Sequence, residues 1–417
     1  MLRTSLGFHT LSLILPINVD DVYLLIHDFL VYSHATGKIK MCHTYKKDGR
    51  VVSEPFRVRD DGTFLLPLKT TVTYRTDTGV SWEIHSRTND PLYKSYYIVS
   101  VINPKLLAGI SDYITASNLN NMDAAIREFD LEAKRISPIL KDFKSYHISR
   151  IDYCVNFSLA ELVPMCTREQ IMCLIKRSNI PNAYTEWTEY DPVAHRQKSK
   201  LSSFYLMGNY VNINCYSKYM QLEEKSKENQ KRGYSPIPLE VMENASDIIR
   251  FEVQCKYLRT YTLTQKALQD LPGGIDVYKI LLCHMTCIDQ IEIYYSKTIG
   301  KADWYTLQDG IKKIKSHNFN YQKEKRLVEA LQVVNQCRSV AKAKELYQGA
   351  ELTAFKRTLK ELSSMGINPV TIPKEWGIKH IPNLLYVYFD KVQADRQHEE
   401  MKAMFDKLVL EEMGMGS

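Results

Sequence analysis

Three stretches of this 417-residue chain alternate apolar and polar residues with a period of two, and nothing else in the sequence restricts the fold as tightly. In the first, Ile151, Tyr153, Val155 and Phe157 are apolar or aromatic, while Arg150, Asp152, Cys154 and Asn156 take the intervening places. In the second, Val211, Ile213 and Cys215 alternate with Tyr210, Asn212, Asn214 and Tyr216. In the third, Ile249, Phe251, Val253 and Cys255 alternate with Arg250, Glu252, Gln254 and Lys256. A β-strand sends successive side chains to opposite faces, so each stretch predicts a strand with one face on a core. The other face carries carboxylates, guanidinium groups, amides and a phenol, which is the inventory of a site.

The surroundings predict an α+β fold. From Ile17 to Thr78, Asp48-Gly49 and Asp61-Gly62 punctuate short apolar runs, which suggests β-hairpins. Val80 to Ile102 reads as two strands around a turn at Thr88-Asn89-Asp90-Pro91. Helices are expected over Lys105–Ser117, Met122–Ile136 with Pro138 as a stop, Thr167–Ser178, and the charged run Glu223–Arg232. The apolar run Leu11–Leu15 is too short for a membrane span, and no stretch approaches 18 apolar residues. After about Leu263 the alternation gives way to helical spacing: Leu327, Ala330, Leu331 and Val334, then Leu352, Phe355, Leu359 and Leu362, with Gly366 and Pro369 as stop signals. Gly349 between helical stretches suggests a helix-turn-helix. Two regions are therefore expected: an α+β region over 1–265 and a mainly α-helical region over 266–417. Nine cysteines, an odd number without repeating spacing, argue against a disulfide scaffold and for a reducing cytoplasm.

Asp152 and Glu252 are the most informative pair. If their strands are neighbours in one antiparallel sheet, both carboxylates project from one face and can hold Mg²⁺ or Mn²⁺, which take hard oxygen ligands. Two solvent-facing ion pairs, with Arg150 and Arg250, would give the same spacing. Tyr216 closes the second strand on its polar side, with Lys218 two residues on. A tyrosine hydroxyl can attack a phosphodiester once the developing charge is stabilised, and Lys218 is a candidate for part of that charge; a half-buried strand tyrosine beside a surface lysine is the plain alternative. Glu83 and His85 could complete a metal site or simply form an exposed face. Cys283, His284 and Cys287 lack a second ligand pair at zinc-finger spacing. His195-Arg196 could meet phosphate or form a solvated turn. No P-loop, dinucleotide fingerprint or nucleophile elbow occurs, which excludes the commonest NTPase, oxidoreductase and α/β-hydrolase signatures.

Formal charge is +7, and between Ile311 and Leu362 twelve basic residues face five acidic ones, an excess equal to that of the whole chain. Lys312, Lys313, Lys356 and Arg357 lie in this segment and are candidate phosphate contacts on duplex DNA, or else parts of a solvated helical face.

Three blocks, in this order, resemble the gene II replication-initiation endonucleases of filamentous phages: His147-Ile148-Ser149-Arg150-Ile151-Asp152, Cys215-Tyr216-Ser217-Lys218-Tyr219, and Ile249-Arg250-Phe251-Glu252-Val253-Gln254-Cys255-Lys256-Tyr257-Leu258. Fainter similarity lies at Asn103–Gly109 and Leu359–Asn368. The resemblance implies a Rep-like nuclease sheet related to the His-hydrophobe-His endonucleases, although the histidine pair of that superfamily has no counterpart here. It implies rolling-circle initiation by site-specific nicking and joining of DNA. Tyr216 would be the nucleophile with Lys218 beside it, Asp152 and Glu252 the metal ligands, and Arg150 and Arg250 phosphate clamps. The implied partners are single- and double-stranded origin DNA and a host helicase and polymerase, in a host cytoplasm with no membrane. A non-catalytic origin-binding protein or repressor with a decayed nuclease sheet, and a conjugative relaxase, are the alternatives.

Overall fold

The computed structural model describes residues 3–394 apart from 37–39, 48–49, 60–70, 76–77, 87–95, 111, 192–195, 199–201, 232–234 and 271–275. The predicted turns at Asp48-Gly49, Asp61-Gly62 and Thr88–Pro91, together with His195, lie outside the described residues. The strands in chain order are β1 (Ser5–Ile17), β2 (Lys40–Lys47), β3 (Arg50–Pro55), β4 (Thr71–Arg75), β5 (Val80–Ser86), β6 (Tyr96–Ile102), β7 (His147–Ser158), β8 (Tyr184–Glu186), β9 (Glu189–Asp191), β10 (Arg196–Lys198), β11 (Ser203–Gly208), β12 (Val211–Ser217), β13 (Ile248–Cys255), β14 (Trp304–Tyr305) and β15 (His380–Ile381). The helices are α1 (Val19–Thr36), α2 (Pro104–Leu107), α3 (Met122–Ile136), α4 (Leu159–Leu162), α5 (Arg168–Lys176), α6 (Lys218–Lys231), α7 (Leu239–Asn244), α8 (Tyr257–Asp270), α9 (Val277–Leu281), α10 (His284–Thr298), α11 (Leu307–Lys315), α12 (Tyr321–Cys337), α13 (Val340–Glu345) and α14 (Gly349–Ser364).

Eleven strands form one antiparallel sheet in the order β3-β2-β4-β5-β6-β1-β7-β13-β12-β11-β8. The three alternating segments are β7, β12 and β13, and they are adjacent, with β13 in the middle. Their apolar face meets α10, where Tyr295 packs edge-on against Phe157 and Phe251. Farther along the same face, Phe29 of α1 stacks on Tyr74, and Phe129 of α3 lies against Trp82. The opposite face of the central strands is covered by segment 112–118 and by α6 and α7. A small second core joins Leu222, Ile237 and Ala245 with Tyr113 and Ile114.

Leu11–Leu15 belongs to the 13-residue strand β1, which pairs with β6 on one side and β7 on the other. Two expectations for the N-terminal part need correction. Residues 19–36 form a helix, where hairpins were expected; its Val22, Leu25, Ile26 and Phe29 are buried at helical spacing. The helix expected over 105–117 also stops early. Asn103 caps its start, and Gly109 at φ +74 turns the chain out after Leu107.

In the C-terminal part, α12, α13 and α14 bury Leu327, Leu331, Val334, Val340, Phe355 and Leu362 at one junction. Gly349, at φ +50, is the first residue of α14. The apolar core runs without a break from the sheet into these helices. Hydrogen bonds tie the halves together: Asn179 N–H donates to the Thr298 carbonyl and Val340 N–H to the Arg177 carbonyl.

Candidate active site

Strand register positions the site. Glu252 stands opposite Cys154 on β7 and Asn214 on β12; Arg250 stands opposite Asn156 and Tyr216; Gln254 stands opposite Asp152 and Asn212. Asp152 and Tyr216 are therefore both diagonal neighbours of Glu252 on one sheet face, within reach of long side chains. The Tyr216 hydroxyl donates to Glu252 Oε2 at 3.3 Å, and Gln254 Nε2 donates to Glu252 Oε1 at 3.0 Å. Arg150 grips Asp152 with both ends of its fork, Nε to Oδ1 at 2.7 Å and Nη2 to Oδ2 at 2.6 Å. Asp152 is 2% exposed, Glu252 5% and Tyr216 9%.

Arg250 is wholly buried between the strands. Its Nε donates to Asn156 Oδ1 at 2.7 Å and its Nη2 to the Ile114 carbonyl at 3.1 Å. Among the described residues its Nη1 makes no well-aligned hydrogen bond, although the guanidinium lies close enough to the Tyr216 hydroxyl to interact with it. A buried guanidinium nitrogen without a well-aligned acceptor is costly, and an anionic oxygen brought to it would remove that cost.

The electrostatics follow from burial. Desolvation and then the Glu252 charge push the Tyr216 phenol well above its usual range, while Arg250 pulls it back. Desolvation and the nearby Glu252 raise Asp152 above the usual carboxylate range, against the pull of Arg150. Lys218, at the first position of α6, is buried and donates to Gln221 Oε1 at 2.9 Å. Burial and the Arg250 charge hold its ammonium well below its usual value. Lys218 is therefore buried beside Arg250 rather than on the surface, and that burial disfavours its charged form.

One residue of the site escaped the sequence reading. In the β1–β7 ladder Phe8 pairs with Tyr153 and Leu11 with Ile151, so His9 and Thr10 together oppose only Asp152. This is a β-bulge, which re-aims side chains beside it. Burial and the charges of Arg250, Lys218, Lys225 and Arg150 hold the His9 imidazole well below its usual value. His9 is thus a neutral imidazole near the cations of the site, and neutral imidazole is the metal-ligating form. No periodicity marks a bulge, so only a sheet context could have found it.

The donor chemistry suits a hard divalent ion: two carboxylates in one buried neighbourhood, with His9 opposite Asp152. Among the described residues, no group of three or more His, Cys, Asp or Glu side chains is gathered closely enough to hold one. Arg150 occupies both oxygens of Asp152, so a seat for an ion at Asp152 requires the release of Arg150, whose side chain is 38% exposed.

Segment 112–118 closes the site from above. Lys105, itself buried, pairs with Asp112 at 2.5 Å and also holds the Thr115 hydroxyl. Burial alone would raise the Asp112 carboxyl, but Lys105, Thr115 and two backbone N–H groups hold it well below the usual range. Gly7 allows the close approach of this segment to β1, since a Cβ there would lie 2.0 Å from the Ser117 carbonyl oxygen.

The other candidates lie elsewhere. Glu83 and His85 pair with each other on β5 at 2.8 Å, and three strands separate them from β13. Cys287 is buried in the core, and the Cys283 thiol meets the Thr286 hydroxyl. Lys312 pairs with Asp309, and Lys313 donates to the Tyr305 hydroxyl at 2.9 Å while lying over its ring. Arg357 is exposed and Lys356 half-buried on α14. These four belong to the helical part and take no part in the Tyr216–Glu252 cluster. No helix among the described residues is long and apolar enough to cross a membrane.

No family model matches this chain. No curated protein matches it either. Among solved structures it is similar to a rolling circle replication initiator protein from Geobacillus stearothermophilus, with 9% identity over 64% of this chain and 80% of that one, and a TM-score of 0.25. A score of that size supplies no residue equivalences, so the reading of the site stands on its own geometry.

Proposed function

We propose that this chain nicks and rejoins DNA as a rolling-circle replication initiator, through a covalent 5′-phosphotyrosine at Tyr216. The observation that carries the reading is the convergence of the Tyr216 hydroxyl, its acceptor Glu252 and the buried guanidinium of Arg250 on one sheet face. The Tyr216 oxygen bonds to the scissile phosphorus as its proton passes to Glu252. The phosphorus–O3′ bond breaks, and the electron pair leaves on O3′, which takes a proton from solvent. Arg250 meets a phosphoryl oxygen at Nη1, and Arg150, once it leaves Asp152, meets another. Resealing runs the same steps in reverse from a free 3′-hydroxyl, and the bond energy kept in the phosphotyrosine removes any need for ATP. Asp152 and Glu252, with His9, would hold Mg²⁺ or Mn²⁺, which would supply charge stabilisation at the phosphoryl oxygens.

The helical part from residue 266 is assigned to duplex recognition, with Lys312, Lys313, Lys356 and Arg357 among its phosphate contacts. The released 3′-hydroxyl would prime a host polymerase behind a host helicase, in the host cytoplasm. The test is conversion of supercoiled DNA of the encoding replicon to open circles, with recovery of protein bound covalently to DNA. Unaltered protein with Mg²⁺ or Mn²⁺ should give both, and chelation should stop both while leaving DNA binding in place. Specific binding with no nick under any metal would leave an origin-binding protein or repressor with an inactive nuclease sheet.

A further inference from the structure

A cavity of about 350 Å³ opens beside Tyr216, between β12, its neighbour β11 and the start of α6. That is the lower end of the range for small-ligand sites, roughly 300–1,000 Å³, and suits one flat group better than a stack of several. Its walls are chemically mixed in a particular way. Trp187 and Tyr205 supply aromatic surface, Met220 a polarisable thioether, and Tyr216 itself forms one side. The Trp187 backbone N–H donates to the Tyr205 carbonyl at 2.8 Å, which sets the two residues side by side, and the Tyr205 hydroxyl accepts from Asn212 Nδ2 at 2.8 Å, which holds that ring. Asn214, on the same face of β12 as Tyr216, also lines the cavity, and its Oδ1 is buried with no hydrogen-bond partner among the described residues. An aromatic lining with one unsatisfied acceptor calls for a flat π-system carrying an N–H donor.

We propose that this cavity receives a single unstacked nucleobase, that of the nucleotide whose 5′-phosphate becomes joined to Tyr216. The base lies against Trp187 and Tyr205 and gives one N–H to Asn214 Oδ1. All four bases carry such a donor, so the cavity fixes the position of the strand and leaves sequence choice to other contacts. Holding this base places its own 5′-phosphate next to the Tyr216 hydroxyl, which converts base stacking into alignment of the reacting atoms.

The inference rests on the nicking reading and deepens it. Its test uses the full-length protein with two probes of equal charge, the oligonucleotide (dT)12 and an abasic 12-mer of the same backbone. (dT)12 should bind more tightly than the abasic strand and should quench tryptophan emission. Trp187→Ala should weaken (dT)12 by roughly 5- to 150-fold, the worth of one base stack, and leave the abasic strand unchanged. Trp187→Phe keeps a ring; it should retain most of the affinity and lose the quenching. Equal affinity for the two strands, equal loss of both in Trp187→Ala, or quenching that persists in Trp187→Phe would each overturn the proposal. Should Trp187→Ala not fold, the comparison of the two strands and the Trp187→Phe fluorescence decide the matter. Base-dependent binding without any covalent adduct would remove the nicking reading and keep the cavity's role; an adduct indifferent to the base would do the reverse.

Discussion

The central sheet and the C-terminal helices use charge in opposite ways. At the sheet site, Arg250, Asp152 and Glu252 on the strands and Lys218 at the start of α6 are buried, and every one of them is tied to a protein partner within hydrogen-bond distance. On the helices, Lys312, Lys315, Arg357 and Lys360 are exposed, with Lys312 paired to its helix neighbour Asp309. Buried charges interact strongly with few partners, and their cost is met by close pairing. Exposed charges interact weakly with many partners and are screened by salt. The first arrangement suits a chemical step at one phosphate; the second suits affinity for a long polyanion.

Substitutions should separate these two regimes. The largest effect is expected at Tyr216→Phe, which removes the attacking oxygen and leaves the ring. Adduct formation should fall by roughly 10³-fold or more, with DNA affinity nearly unchanged, as seen on denaturing gels against a binding titration. An adduct of ordinary yield would move the nucleophile elsewhere.

Next in size is Arg250→Ala. It orphans Asn156 Oδ1 and the Ile114 carbonyl and leaves a void between strands, so stability should drop by about 3 kcal/mol in denaturant titration. Arg250→Lys should not restore it, because an ammonium cannot reproduce the fork. A loss below about 0.5 kcal/mol, the size expected of a surface change, would erase the contrast between the two regions.

Replacing Lys312, Lys313, Lys356 and Arg357 together by glutamine should change stability little. It should weaken duplex binding and flatten the salt dependence, by about 0.9 in the logarithmic slope for each phosphate that is no longer neutralised. An unchanged slope would place the duplex surface on another part of the molecule.

The smallest expected effect concerns pH. The Asp152 carboxyl is raised in the folded state, so the fold binds its proton more tightly than the unfolded chain does. Stability from this group is present below the ordinary aspartate value and is lost as pH rises through the raised one. Asp152→Asn should therefore gain on the unaltered protein between about pH 4 and pH 8, by on the order of 1 kcal/mol, in thermal melts across that range. Parallel melting curves for the two proteins would refute the raised carboxyl.

Much of the site could be read from residues alone because a strand's period is local. Asp152, Tyr216 and Glu252 each fall on the polar side of an alternating run, and the runs were long enough to count. The helices over Met122–Ile136 and from Thr167 were legible for a similar reason: Pro138 stops the first, and Thr167 caps the second through its bond to Gln170 N–H. β1 was not legible, since two residues at a bulge break its alternation midway and its apolar run is short. Its loss concealed His9 and Gly7 together. Segment 112–118 reads in sequence as the end of a helix, because nothing near it announces that Lys105 and Thr115 will hold Asp112 over the sheet.

The amino-acid order by itself determined which face each of three strands would present, because backbone geometry converts alternation into sidedness without help from distant residues. Tertiary structure alone decided that β13 lies between β7 and β12, that Lys218 is buried away from water, and that a bulge in β1 sets His9 opposite Asp152. Those outcomes depend on pairings between residues as much as about 150 positions apart, and on the cost of leaving buried polar atoms unmatched, neither of which any local pattern encodes.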